Sequence, residues 1–217
     1  MKIAVLGTGM VGDAIGSKLI ELGQEVMMGS RTADNEKAKA FLAKHSSKAH
    51  IGTFAEAAAF GEIIFNCTSG GASLEALRLA GEENLNGKVL ADLANPLDFS
   101  NGMPPSLSIV NTKSLGEEIQ HAFPGTKVVK TLNTIWCGLM VNPGLVNEGD
   151  HTIFVCGNDA GAKEKVIGIL VSFGWRIKNI LDLGDITKSR GTEMYLPLWL
   201  SIYGRSKNGA FNIKVVK

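Results

Sequence analysis

Six residues near the start of the chain, Gly7-Thr8-Gly9-Met10-Val11-Gly12, carry glycine at the spacing G-x-G-x-x-G. This spacing suits a dinucleotide phosphate. The first glycine permits a tight turn, the second lets the backbone approach a pyrophosphate, and the third lets a helix pack closely on a strand. Amides at the head of that helix, together with the positive end of its dipole, then face the phosphates. A Gly-rich hexamer alone is a weak signal, but here its context fits. Ile3-Ala4-Val5-Leu6 reads as a buried strand just before it, and Val11, Ile15, Leu19 and Leu22 recur at helical spacing just after it, until Gly23.

The next apolar run, Val26-Met27-Met28, ends in Gly29-Ser30-Arg31-Thr32. NAD binders usually place Asp or Glu here, where it accepts from the ribose 2′-hydroxyl. An arginine flanked by two hydroxyls instead suits a 2′-phosphate, because the guanidinium makes charge-assisted bonds to it. Lys37 can add to that charge, and Asp34 is free to serve as a helix cap. The residues therefore favour NADP(H) over NAD(H), the bland alternative being that Arg31 is a solvated loop residue.

In an open parallel sheet, ligands sit beyond the carboxyl ends of the strands. After Ile63-Ile64-Phe65 comes Asn66-Cys67-Thr68-Ser69-Gly70-Gly71; after Val89-Leu90-Ala91 comes Asp92-Leu93-Ala94-Asn95-Pro96; after Val128-Val129 comes Lys130-Thr131-Leu132-Asn133-Thr134-Ile135. Thr68, Ser69, Gly70, Asn95, Pro96, Asn133 and Thr134 are expected to line the nicotinamide end, with a cap or turn role as the plainer reading of Ser69 and Thr131. No general acid or base stands out, so no catalytic residue is assigned. His45, His50, His121 and His151 fall at expected helix ends or in loops and read as surface residues. Lys130 is the best candidate for a charge in the cleft, although an ion-paired or snorkelling lysine is the plainer reading. Ketone or alcohol redox calls for a proton donor, whereas hydride transfer to a flavin-like ring asks mainly for two rings held face to face.

These loops need elements to hold them. Helices are expected over 33–44, 72–80, 115–122, 160–172 and most of 187–203, with Thr53/Glu56 and Ser114/Glu117 as capping boxes. Strands are expected at 153–156 and 175–180, and alternation over Phe211–Val215 predicts an antiparallel edge strand. Residues 97–105 are expected to be an ordered loop. Strands alternating with helices predict an α/β, Rossmann-type doubly wound, mainly parallel sheet. One domain over 1–217 is expected, with a core at 1–150 and a short C-terminal α/β extension, 151–217, closing the sheet. The 217 residues carry a net charge of +1, which offers no field for nucleic acid or an anionic membrane. Three cysteines, far apart, make neither a disulfide framework nor a zinc site, so no metal is expected. No signal-like segment opens the chain, and Met194–Tyr203, interrupted by Pro197, falls short of the ~20 residues of a membrane span. A cytoplasmic protein is expected, and a homodimer through that apolar helix and the terminal strand.

Taken together, the glycine loop, Gly29-Ser30-Arg31-Thr32, Asn95-Pro96 and Val128-Val129-Lys130-Thr131-Leu132-Asn133-Thr134 resemble the NADP oxidoreductases dependent on coenzyme F420. They are also similar to the NADPH-binding domain of STEAP-type ferric reductases. Phe154-Val155-Cys156-Gly157-Asn158-Asp159 and Phe211–Lys217 extend the likeness over nearly the whole chain. The resemblance implies Thr8, Met10 and Val11 beside the glycines at the pyrophosphate, Ser30, Arg31 and Thr32 at the 2′-phosphate, and Thr68, Ser69 and Gly70 at the nicotinamide half. Bulkier residues are common at that last position in the deazaflavin enzymes, and membrane helices like those of the ferric reductases are not expected here. Arg190 and Glu193 match a late family pattern or form an exposed i,i+3 pair. Trp136, Trp199 and Tyr203 are either a stacking wall or plain core.

The function expected is hydride transfer between NADP(H) and a small-molecule redox partner, either deazaflavin coenzyme F420 or a flavin. The alternatives are an NADPH-dependent reductase of a small imine or carbonyl, which would need a proton donor, and a non-catalytic NADPH-binding sensor or subunit.

Overall fold

A computed structural model describes residues 1–45 and 48–216. The first half alternates strand and helix: β1 (Lys2–Leu6), α1 (Met10–Glu21), β2 (Glu25–Ser30), α2 (Glu36–Lys44), β3 (Ala49–Thr53), α3 (Phe54–Phe60), β4 (Ile63–Asn66) and α4 (Gly70–Ala80). There follow α5 (Glu82–Leu85), β5 (Val89–Asp92), a small hairpin of β6 (Leu97–Asp98) and β7 (Ser106–Leu107), α6 (Leu115–Ala122), β8 (Lys127–Thr131) and α7 (Cys137–Val141). The chain closes with β9 (Ile153–Gly157), α8 (Ala160–Ser172), β10 (Ile180–Asp182), α9 (Ser189–Met194) and α10 (Leu196–Ser206).

Eight strands form one sheet in the order β10-β9-β8-β5-β4-β1-β2-β3. From β3 to β8 all neighbours are parallel; β9 joins β8 antiparallel, and β10 follows β9 in parallel. The sheet is the Rossmann-type, mainly parallel one expected, and residues 153–182 extend its β8 edge by two strands. Strand order reverses between β1 and β4, which opens the crevice where such sheets take ligands.

Both faces of the sheet are covered, which explains the unbroken apolar runs. Ile3, Val5, Val129 and Val155 face a core shared with α1, α2, α7 and α8. Ala4, Leu6, Leu90 and Val128 face a second core built with α3, α4, α5 and α6. Among the described residues no helix is long and apolar enough to cross a membrane.

Several local expectations need correction. The strand β3, Ala49-His50-Ile51-Gly52-Thr53, was not anticipated, because one edge strand with a His and a Gly has little apolar signal. His50 therefore sits in a strand, beside Phe60. Trp175–Ile180 is not a strand: Trp175 is buried, Ile177–Asn179 is a 3-10 turn, and pairing begins only at Ile180. Phe211–Val215 forms no strand either. It runs beside Thr152 through Thr152 N to Ile213 O (2.9 Å) and Val215 N to Thr152 Oγ1 (2.9 Å), with side chains supplying the remaining bonds. Asn35, not Asp34, caps α2, while Asp34 pairs with Lys39. Thr53/Glu56 is a full capping box. Ser114 caps α6, but the Glu117 carboxylate accepts from Ser114 Oγ and from Arg190 instead of closing the box. The stretch 97–105 holds β6, which pairs with β7 just beyond it.

Candidate nucleotide site

The turn from β1 into α1 is built by contact. Gly7 has φ +114°, and a Cβ there would lie 2.6 Å from Cys67 O, so only glycine fits. A Cβ on Gly12 would lie 2.0 Å from Gly7 O, which sets how closely α1 approaches the turn. Gly9 is the opposite case, with open space within 4 Å of an added Cβ. It caps α1 without a side-chain hydrogen bond, and the first-turn amides of Met10, Val11 and Gly12 have no carbonyl to reach within the helix. The α4 head is alike, since Ser69 caps it with no side-chain bond. Two uncapped helix ends thus lie at the reversal in strand order; the α1 head, on the glycine turn, fits a pyrophosphate, and the α4 head lies beside it.

A cleft of about 290 Å³ lies there, lined by Gly7, Thr8, Gly9, Arg31, Cys67, Thr68 and Ser69. Six residues singled out in the sequence are thereby brought together. The structure adds Phe54 and one stripe of α4, namely Ala72, Glu75, Ala76 and Leu79. That stripe follows the i, i+3, i+4, i+7 spacing of a single helix face, a signal visible in the sequence. Arg31 is exposed and, among the described residues, has no ion-pair partner. Thr32 is exposed beside it, while Ser30 is 4% exposed and its hydroxyl donates to Thr32 O (2.5 Å). Burial, with the Asp92 carboxylate adding to it, pushes the Cys67 thiol far up, so it is no nucleophile.

The loops expected at the nicotinamide end are spent largely on one another. Asn95 Nδ2 donates to Asn133 O (2.7 Å) and Asn133 Nδ2 donates back to Asn95 Oδ1 (2.9 Å). Pro96 is buried, and a Cβ on Gly70 would lie 1.9 Å from Asn95 O. Thr131 donates to Phe154 O (2.8 Å), a structural role. Thr134 is 2% exposed, with its hydroxyl unpartnered.

Lys130 does not project into the cleft. Its side chain is 0% exposed and its ammonium lies 2.8 Å from both Asp92 Oδ2 and Glu193 Oε1, the ion-paired alternative. Burial depresses its pKa, but the two carboxylates more than offset that and leave it raised, so Lys130 stays charged and donates no proton. Glu193, with no more than a family pattern to mark it in the sequence, is as buried as Lys130, and Arg190 pairs with Glu117, not with Glu193. Among the histidines, His151 departs furthest from a surface residue. It is 2% exposed, lies edge-on to Trp175, and bonds Pro143 O and Asn212. His45 lies against Ser17, with its pKa lowered by burial and by Lys44, and of the four only His121 is exposed. None lines the cleft. Trp199 stacks on Tyr203 and Phe211 (centroids 5.2 and 5.3 Å) and Trp136 packs under Gly209, so these aromatics are spent on the C-terminal segment. Cys156 is buried, whereas Cys67 and Cys137 are half-buried.

Comparison with known proteins adds the family. Residues 2–96 match the family model described as NADP oxidoreductase, coenzyme F420-dependent. A crystal structure from Arthrobacter sp. FB24, provisionally assigned as an F420-dependent NADP reductase, is 49% identical over the whole of both chains, with a TM-score of 0.94. The chain belongs to this family. With it the chain is an NADP-dependent oxidoreductase. The F420-dependent NADP reductase of Methanocaldococcus jannaschii is 28% identical over 99% of this chain and 98% of its own. The metalloreductase STEAP3 of Rattus norvegicus is 28% identical over 91% of this chain, which spans 38% of that protein. A reductive aminase of Aspergillus terreus, solved with NADPH, superposes at TM-score 0.66 with 18% identity over 94% of this chain and 61% of its own, a likeness of fold alone.

Proposed function

We propose that this F420-family oxidoreductase passes hydride between NADP(H), bound in the cleft at the β1/β4 reversal, and the deazaflavin ring of coenzyme F420. The observation that carries the reading is the pairing of an open glycine cradle with Arg31 in one cleft, with no acid or base reaching it from His45, His50, His121, His151 or Lys130. Arg31 and Thr32 would hold the 2′-phosphate, which a carboxylate at the end of β2 would repel. Gly7, Thr8, Gly9, Met10, Val11 and Gly12 would hold the pyrophosphate, with backbone amides as donors. Thr68, Ser69 and Gly70 would flank the nicotinamide, backed by the Asn95-Pro96 and Asn133-Thr134 loops. NADPH supplies the hydride from its nicotinamide when bound. The protein's share is to hold that ring against the acceptor and to keep competing water away. A flavin-like acceptor suits a cleft that, among the described residues, no histidine or lysine lines, because its ring exchanges its own proton with water.

The compartment expected is the cytoplasm. We also propose a homodimer through α10, where Leu198, Ile202 and Tyr203 are exposed.

The test is anaerobic absorbance at 340 nm with NADPH and, in parallel, coenzyme F420, FMN, FAD or no acceptor. Oxidation with F420 alone supports the reading. Oxidation with FMN or FAD and not F420 would replace the acceptor, and no oxidation despite nucleotide binding would overturn the reading.

A further inference from the structure

Three charges lie in the interior close to the proposed nicotinamide end. Asp92 and Lys130 have side chains 0% exposed and Glu193 1%. All three hydrogens of the Lys130 ammonium have acceptors: Asp92 Oδ2, Glu193 Oε1 and the backbone oxygen of Ala94. On one side the network reaches the cleft. Asp92 Oδ1 accepts from Asn66 Nδ2 (2.8 Å), and Asn66 Oδ1 accepts from the hydroxyl of Thr68 (2.6 Å), a cleft residue. On the other side Glu193 accepts from Leu115 N (2.8 Å) and Gly116 N (3.0 Å), the opening amides of α6. One lysine therefore ties the ends of β4, β5 and β8 to α6 and α9, through hydrogen bonds short enough to be strong.

Such a network is a poor source of stability, because desolvating the charges consumes most of their mutual attraction. What it does supply is a fixed geometry. Ala94 precedes Asn95, whose backbone oxygen presses on Gly70 beside Ser69, so the position of the Thr68–Gly70 turn follows that of Ala94.

We propose that Asp92, Lys130 and Glu193 are positioning residues for hydride transfer, holding the Thr68–Gly70 turn and the Ala94–Pro96 loop in the register that orients the nicotinamide. The proposal rests on the NADP(H)-to-F420 reading of the site for its kinetics, though not for its binding readout. The 2′-phosphate and pyrophosphate are held elsewhere, by Arg31 and the glycine turn, so loosening the network leaves nucleotide affinity in place and misaligns the ring.

The test uses Glu193→Gln, which keeps the Lys130–Asp92 pair but turns an amide NH₂ toward a backbone N–H. Beside it stands the uncharged, shape-preserving set Asp92→Asn/Lys130→Met/Glu193→Gln, which leaves no unpaired buried charge. NADPH affinity and the emission and anisotropy of bound NADPH are measured first, with no acceptor present. The expected result is affinity within twofold of wild type, with weaker enhancement and lower anisotropy of the bound nicotinamide. With F420, kcat should then fall about 10- to 100-fold, as for a misplacement near 1 Å, and the deuterium isotope effect from labelled NADPH should rise. Unchanged emission, anisotropy and kcat in folded Glu193→Gln would overturn the proposal, and so would a loss confined to melting temperature. If the wild-type protein reduces no F420, the proposed function fails, while the emission and anisotropy of bound NADPH still decide whether the network orients the ring.

Discussion

Gly70 and Gly71 stand side by side at the head of α4, yet an added methyl group should have opposite consequences at the two. A Cβ on Gly70 would lie 1.9 Å from Asn95 O and 2.4 Å from its carbonyl carbon. Real Cβ contacts essentially never fall under 3.0 Å, so the Thr68–Gly70 turn and the Asn95 loop must part by at least 3.0 − 1.9 = 1.1 Å. The obstacle is backbone, and the Asn95 side-chain amide anchors that residue to Asn133 through two hydrogen bonds, so the carbonyl cannot swing aside like a side chain. Overpacking of this kind costs about 1–3 kcal/mol. For a chain of this size that lowers Tm by roughly 2–4 °C per kcal/mol. A shift near 1 Å at a nicotinamide wall costs about 10²-fold in rate. Gly70→Ala should therefore lower Tm by several degrees and kcat by about two orders of magnitude, leaving the Kd for NADPH nearly unchanged. At Gly71 an added Cβ meets nothing within 4 Å, so Gly71→Ala should hold Tm or raise it, by up to about 0.5 kcal/mol of relieved helix cost. Thermal melting and steady-state turnover of both variants suffice as the assay. The reasoning is refuted if Gly70→Ala melts and turns over like wild type, or if Gly71→Ala is the more damaged of the two.

Arg31→Ala should weaken NADPH binding by about 2 kcal/mol, roughly 30-fold, and leave NADH almost untouched, since only the 2′-phosphate distinguishes them; titration with both nucleotides checks this, and equal losses would place the 2′-phosphate elsewhere. The Cys156 thiol, pushed up to about 12 chiefly by burial, should resist alkylation at pH 8 in the folded protein and react once the protein is unfolded; rapid labelling in the native state would contradict its placement. Glu117 is held below its ordinary value of 4.5, first by the Arg190 hydrogen bond, so its contribution is complete above that pH and is lost as pH falls through the lower folded value. Melting against pH should show Glu117→Gln less stable than wild type near neutrality and converging with it in acid. A proposed homodimer should sediment as one at micromolar concentration, and Leu198→Glu on α10 should shift it to monomer.

The nucleotide cradle was legible because its physics is local. Gly12 meets the Gly7 carbonyl a short way back and Gly7 has a positive φ of its own, and a strand run on one side and a helical stripe on the other are short-range patterns; only the contact of Gly7 with Cys67 is long-range. The same holds for Arg31 at a strand end and for the Thr53/Glu56 capping box, whose partners lie three residues apart. Alternation of buried runs with helical stripes likewise implied a parallel sheet with both faces covered, and the sheet has that form. By contrast, β3 carries too little apolar signal to read as a strand, and 211–215 alternates like a strand without pairing as one, because an edge position is decided by what lies beside it. Thr152, some sixty residues earlier, satisfies the backbone of Ile213 and Val215 in place of a strand partner.

The network of Asp92, Lys130 and Glu193 lies at the far limit of what sequence can reveal. Its members are 38 and 63 residues apart along the chain, and charged side chains are by default read as solvated. Only the crossing of β5, β8 and α9 removes water from all three at once and makes their mutual contacts obligatory. His151 follows the same rule, as a polar ring held inside by Pro143, Asn212 and Trp175. Sequence thus determined the local cradle and the class of nucleotide it suits. Tertiary structure decided which polar groups are left for a ligand, because burial and long-range pairing are properties of the assembled chain.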